Sequence, residues 1–215
     1  MPGITTRCPE WEYDQVPGHE RVLLSRSLGV LIRLRNGDPK RALTAARDTR
    51  TLHRNFFNGL TPLGFDYYAG HYRGEDFLCL KGYEVHVQND PRVGHPAAVV
   101  LDQMRLMTLE VGNVAAHCDI LHAVNSRVVS EAEKLARLVE VVAALFVYFL
   151  EIHPYANGNG HMARFLVITL LCRYGIYPVR WPLHPRPMDP PYSNLIRLYR
   201  SGQRKLLESY ILSCL

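Results

Sequence analysis

Several absences narrow what this 215-residue chain can be. No apolar run approaches the ~20 residues that a membrane helix requires; the longest uninterrupted one, residues 141–150, falls well short. No apolar signal core follows Met1-Pro2-Gly3, and Glu10 and Glu12 arrive early, so a cytoplasmic protein is expected. Cysteine is sparse. Cys8, Cys79, Cys118, Cys172 and Cys214 are odd in number, widely spaced and contain no C-x-x-C pair. That pattern predicts free, reduced thiols and not a disulfide framework. There is no strong excess of one charge either: 25 Lys and Arg against 20 Asp and Glu leave a formal +5. The basic row Arg197, Arg200, Arg204 and Lys205 reads as the solvated face of a helix, and no nucleic-acid fold signature accompanies it. Internal repeats are missing too. What remains is a chain of 47% hydrophobic content, long enough to bury one core without staples.

The apolar pattern is mainly helical. Val22, Leu23, Val30, Leu31 and Leu34 recur at helical spacing over 20–34, and Asn36-Gly37 ends the run. A second helix is predicted over 40–57, and Gly59, Pro62 and Gly64 break it. The character then changes. Residues 77–80 and 83–87 flank Lys81-Gly82, which predicts a small β-hairpin. A helix over about 97–110 follows, then a long one over 130–151 that opens on a Ser130…Glu133 capping box. Leu135, Leu138, Val139, Val142, Leu145, Phe146 and Phe149 give it one broad apolar face. Another apolar helix is predicted over about 159–174, stopped by Gly175, and a last one over 192–212 after a proline-rich connection. The expected organisation is an N-terminal helical extension over 1–50, a core over 51–182 and a C-terminal helix packed on it within 183–215.

Between the two central helices lies His153-Pro154-Tyr155-Ala156-Asn157-Gly158-Asn159-Gly160-His161-Met162-Ala163-Arg164. Pro154 stops the first helix and leaves His153 facing a tight loop. Gly158 and Gly160 permit backbone shapes and close approach that other residues block. The next helix opens at this point, so unpaired N–H groups and the positive end of its dipole form an anion site. Helical side chains lean toward the N-terminus, so Arg164 can reach back over that site. A base, an anion cradle and a cation come together.

This segment resembles the signature of the Fic family, H-P-F-x-[D/E]-G-N-G-R-x-x-R. It matches at His153, Pro154, Gly158, Asn159, Gly160 and Arg164, with Tyr155 standing for the aromatic, and the preceding Gly70-His71-Tyr72-Arg73 is similar to the family's flap region. The resemblance covers roughly 56–182. It implies a Fic-like helical core with the hairpin as a flap, and an enzyme that moves AMP from ATP to a Ser, Thr or Tyr hydroxyl of a target protein. On that basis His153 is the general base, and Gly158, Asn159, Gly160, His161 and Arg164 hold nucleotide phosphates. Asn157 occupies the acidic position that helps hold Mg²⁺ (or Mn²⁺). Leu80, Lys81, Gly82 and Tyr83 of the flap dock the target by strand addition.

Two positions depart from the pattern. Asn157 offers only a neutral oxygen, so metal binding should be weaker. His161 replaces an arginine; losing a charge-assisted bond there would cost about 1.5–3 kcal/mol. Weak ATP affinity, another donor (UMP, phosphate or phosphocholine), or activity that rises as acid charges His161 are the expected consequences. A catalytically weak binding module is the rival reading, and a toxin neutralised by an antitoxin-like partner is a further biological role. No glutamate sits in the S/T-x-x-x-E-G/N pattern by which many members restrain themselves, so Arg164 is expected to be unblocked in cis. His117, Cys118, Asp119 and His122 do not share a helix face well enough for zinc. Cys118 lacks an activating partner. His86, His95 and His184 read as loop or surface residues.

Overall fold

A computed structural model describes residues 8–87, 90–125 and 127–215. The chain start, read above as lacking a signal core, lies largely outside them. Eight α-helices follow one another: α1 (His19–Asn36), α2 (Pro39–Arg47), α3 (Arg50–Phe57), α4 (Ala97–Ala123), α5 (Glu131–Ile152), α6 (Asn159–Arg173), α7 (Tyr192–Arg200) and α8 (Arg204–Ser213). None of them is long and apolar enough to cross a membrane, among the described residues.

The pair α5–α6 is the axis of the molecule. From His161 to Leu171 every residue of α6 is buried, so this helix is covered on all sides. It packs against α5 and α2, with α1 touching it more lightly; α4 and α8 flank α5. α5 starts as its capping box predicts, with Ser130 Oγ accepting from the Glu133 amide at 3.2 Å.

The mainly helical expectation holds, but the hairpin does not. Among the described residues there is no β-strand at all. Residues 74–83 coil through short-range bonds instead: Leu80 and Lys81 amides both reach the Phe77 carbonyl, and the Tyr83 amide reaches that of Leu80. The apolar arm was misleading because its side chains face different ways. Cys79 and Leu80 are core residues, whereas Leu78 is 74% exposed, so each is placed by its own anchor and not by a cross-strand neighbour.

Other departures have local causes. The run 40–57 is two helices because Asp48 ends α2 and its carboxylate takes the Arg50 amide at 3.1 Å, starting α3. The final helix is also two, broken where Gly202 adopts φ +94°. In contrast α4 runs on to Ala123, past Gly112. A Cβ there would sit 2.2 Å from the Arg47 guanidinium, so the glycine makes room for α2 and does not stop the helix. That extension carries His117, Cys118, Asp119 and His122. Asp119 pairs with Arg173 at 2.7 Å and His122 stacks on Tyr174. No group of three metal-ligating side chains forms among the described residues. In the basic row, Arg200 is not solvated; it is buried against Asp90 at 3.0 Å.

The expectation of five free thiols is also corrected. Cys8 and Cys79 form a disulfide, while Cys118, Cys172 and Cys214 are free. Partners 71 residues apart escape any spacing rule. Breaking this bond by Cys79→Ser, or by a dithiol reductant, should lower the unfolding free energy by about 2–4 kcal/mol. Urea unfolding of the oxidised and reduced protein checks it.

Candidate active site

The loop that joins α5 to α6 is short, and its geometry begins at His153. This residue caps α5 with φ +52°, the sole non-glycine at positive φ among the described residues. Such a conformation costs on the order of 1–3 kcal/mol and persists only when its surroundings hold it. Arg73 holds it: Nε donates to the His153 carbonyl at 2.7 Å, and one Nη donates to the Ile152 carbonyl at 3.0 Å. The Arg73 amide also binds the Pro154 carbonyl at 2.8 Å.

The rest of the loop is fixed from below. Asn159 folds its amide back so that Oδ1 accepts from the Tyr155 amide and Nδ2 donates to the Tyr155 carbonyl, both at 2.8 Å. Tyr155 is fully buried, bonds Thr49 through its hydroxyl at 2.7 Å and lies flat on His53 with centroids 3.7 Å apart. The Gly70 amide donates to Nδ1 of His53, so its Nε2 carries the proton and donates to the Asn157 carbonyl at 2.9 Å. Gly158, at φ +78°, passes so close to Phe57 that a Cβ would be 2.3 Å from its ring. The left-handed conformation and the close approach both require glycine there.

Above this floor opens a cavity of about 1080 Å³, lined by His153, Asn157, Gly158, Asn159, Gly160, His161 and Arg164. All seven motif residues expected at the site therefore line one cavity. The α6 N-terminus points into it. Gly160 leaves room for the Arg164 guanidinium, whose Nη1 would be 3.2 Å from an added Cβ. Arg164 is nonetheless engaged: Nε and Nη2 donate to the Leu183 carbonyl at 3.1 and 2.8 Å. Among the described residues no carboxylate lies within ion-pair distance of it.

Electrostatics favour neutral imidazoles. Burial, then Arg73 and Arg200, push His153 down to about 4. Its Nδ1 faces the Leu150 carbonyl at 3.3 Å, so the proton sits on Nδ1 and Nε2 keeps its lone pair. His161 is held well below its ordinary value by burial first and then by Arg164 and His184. Charging it in mild acid is therefore opposed by its own surroundings.

The remaining expected residues fare differently. The Asn157 Oδ1 accepts from the Gly158 amide at 2.6 Å, and its Nδ2 donates to the Trp11 carbonyl and the Glu12 carboxylate. Glu12 is a lone carboxylate at this amide, and among the described residues no group of three metal-ligating side chains forms a protein-built Mg²⁺ site. Of the flap, Leu80 is buried, Lys81 and Gly82 are exposed, and Tyr83 is half-buried. None of the four lines the cavity; Val87 does.

Several contributors were invisible in the sequence. An N-terminal strap crosses the site: Trp11 is buried with Nε1 on the Leu60 carbonyl at 2.7 Å, and the Tyr13 ring stands 5.5 Å from His161. His184, expected as a loop or surface residue, lies in the loop before α7, and its ring stacks on His161 with Nδ1 3.1 Å from its Nε2, a contact the sequence does not show. His53 and Tyr13 lie 100 or more residues before the motif and outside any pattern, and Arg73, noted in the flap-like segment, shows its role only in the fold.

Comparison with known proteins agrees with this geometry. The Fic/DOC family model matches residues 43–171, more than half the chain, and the chain belongs to that family. Among curated relatives, the "Protein adenylyltransferase Fic" of Drosophila sechellia, Drosophila simulans and Drosophila melanogaster are each 29% identical over 85 residues. That match covers 40% of this chain and 17% of each relative, so the chain spans only a small part of their length.

The histidines make stability pH-dependent. Burial lowers His53 to about 3, below the ordinary value near 6.5, so the unfolded chain binds a proton that the folded one refuses. Its contribution is intact above about pH 6.5 and is lost as pH falls toward 3, and His153 acts the same way down to about 4. The urea midpoint should fall steadily between pH 6.5 and 4.5. A His53→Gln variant should show a shallower decline, although starting lower.

Proposed function

We propose that the chain is a Fic-type transferase that moves a nucleotide-derived phosphate group, with AMP from ATP as the default, onto a Ser, Thr or Tyr hydroxyl of a target protein. The supporting observation is the neutral Nε2 of His153 in the same cavity as the opening of α6 and Arg164. The triphosphate tail would lie against the amides of Gly158–Gly160, a fixed set of donors needing no reorganisation. Asn159 shapes this cradle through its backbone, since its side chain is committed to Tyr155. His153 Nε2 would accept the proton of the target hydroxyl as its oxygen attacks the α-phosphorus. The new O–P bond forms while the α–β bridge breaks, and pyrophosphate leaves. The tail's negative charge would raise the basicity of a ring that Arg73 and Arg200 otherwise hold down.

Arg164 would trade the Leu183 carbonyl for a terminal phosphate oxygen, since a carbonyl competes poorly with an anion for a guanidinium. The target would lie beside the exposed Lys81 and Gly82, toward Val87. Magnesium or manganese would be carried mainly by the nucleotide's own oxygens, because Asn157 is already bonded. The neutral His161 and the engaged Arg164 favour weak donor binding, and thus lend weight to the rival reading of a catalytically weak binding module. With no carboxylate paired to Arg164 among the described residues, a separate inhibitory protein acting at this cavity is part of the proposal.

Labelled ATP, UTP, GTP and CTP incubated with the protein and a cell lysate test the reading. Transfer of label that is lost in His153→Ala supports it, whereas transfer that survives in that variant removes it. kcat/KM should stay flat from pH 8 to about 5.5 and fall only toward 4, because it reports the free enzyme's base. An acid limb near 6.5 would contradict the assignment. His161→Arg should tighten ATP binding by at least about tenfold, as a charge-assisted bond returns; calorimetric titration reads this directly.

A further inference from the structure

The geometry points to Arg73 as the positioning residue of this site: its buried guanidinium gathers the carbonyls at the end of α5 and thereby holds the left-handed turn that aims the His153 ring. The inference rests on the reading of His153 as the base.

Arg73 is fully buried, and its contacts are unusual for a cation. The nearest carboxylate oxygen, on Glu84, is 3.8 Å away, and that side chain is 46% exposed. The charge is met by main-chain oxygens instead. Nε takes His153; one Nη takes Tyr83 at 2.9 Å; the other takes His95 at 2.9 Å and Ile152 at 3.0 Å. Two of these four carbonyls belong to the last residues of α5, where the helix dipole is negative and helical partners run out. The other two lie on the flap segment and on the approach to α4. A single planar fork thus ties together three stretches of chain, two of which the Gly94 and His95 amides also join by bonding the Glu151 and Ile152 carbonyls.

Arginine suits this task and other residues do not. Lysine lacks the planar fork, and a neutral side chain would leave the His153 carbonyl short of a donor inside the protein and the Ile152 carbonyl with only the His95 amide at 3.3 Å. With those bonds gone, the positive φ at His153 would relax toward the ordinary right-handed region, carrying the ring with it. The phosphate cradle would feel less. It is held by Asn159, Tyr155, His53 and Phe57, none of which touches the guanidinium. Base and cradle are therefore supported separately, and loss of Arg73 should damage one more than the other.

The groups facing the His153 ring are Arg73, Arg200 and the Leu150 carbonyl. Removing one cation from this set should raise the ring's titration midpoint above the present value of about 4.

The test uses the full chain with Arg73→Gln and Arg73→Lys, ATP as donor, and a readout of the His153 ring by NMR. Misaiming a base by about 1 Å can cost 10²-fold. Arg73→Gln should lower kcat at least tenfold while KM for ATP stays within about twofold, and Arg73→Lys should recover part of kcat. The ring midpoint should rise in Arg73→Gln. In the wild type, the Nε–H resonance of Arg73 should shift with the same midpoint as the ring, a measurement that needs no variant to fold. Unchanged kcat in Arg73→Gln would overturn the proposal. So would a KM that rises as steeply as kcat falls, or an Arg73 Nε–H resonance indifferent to the titration of His153. Absence of any His153-dependent transfer in the wild type would sink the proposed function alone, because the two NMR readouts do not require turnover.

Discussion

Reversing the chain between two buried helices within a few residues is the constraint on which this site depends. α5 ends against the core and α6 begins at the edge of the cavity, so the carbonyls of one and the amides of the other need different partners. The two ends are treated oppositely. The α5 carbonyls receive an internal cation, Arg73. The α6 amides at Asn159 and Gly160 face an open cavity, where an external anion can meet them. What one helix end satisfies within the protein, the other leaves for a ligand.

The surrounding side chains follow from that division. His53 must be neutral to accept from Gly70 and donate to Asn157 at once, so burial and hydrogen bonding agree on its state. Tyr155 fills the space beneath the loop and carries its hydroxyl to Thr49, in the short break between α2 and α3. That break, which interrupts an otherwise helical run, serves the loop's support. The strap at residues 11–13 closes the same unit from the side, since the Trp11 carbonyl takes the amide of Asn157. An aspartate at 157 could not donate there. The neutral amide that departs from the family signature is thus matched to a neighbour of its own.

How far the sequence carried the reading follows from the range of the forces involved. The helices over 20–34, 130–151 and 159–174 were legible because periodic burial and a capping box are local signals, and all three lie within a few residues of α1, α5 and α6. The motif was legible because its chemistry is contiguous. The flap was not, since four apolar residues in a row look alike whether they pair across a ladder or are anchored one by one, and Leu78 pointing outward has no signature. Likewise Cys8 and Cys79 gave no hint of pairing, and His184 is the loop residue it looked like, but its stacking on His161 had no signature. Contacts set by tertiary structure are unreadable from spacing alone. Arg73 is the sharpest instance: its importance lies wholly in which carbonyls surround it.

The histidine at 161 shows how such context changes the meaning of a substitution. In an open site, histidine would be an arginine that titrates, gaining charge as pH falls. Here Tyr13, Phe56, Phe57 and His184 enclose the ring, and Arg164 adds a cation beside it. Desolvation and like charge act in the same direction, so protonation is opposed twice. The ring therefore behaves as an aromatic wall with one polar edge turned to His184. In the proposed function, phosphate recognition would fall to Arg164 and the α6 amides, with Arg164 first leaving the Leu183 carbonyl. On that proposal, donor affinity would depend on the balance between one backbone carbonyl and an incoming anion for a single guanidinium, as well as on the missing arginine.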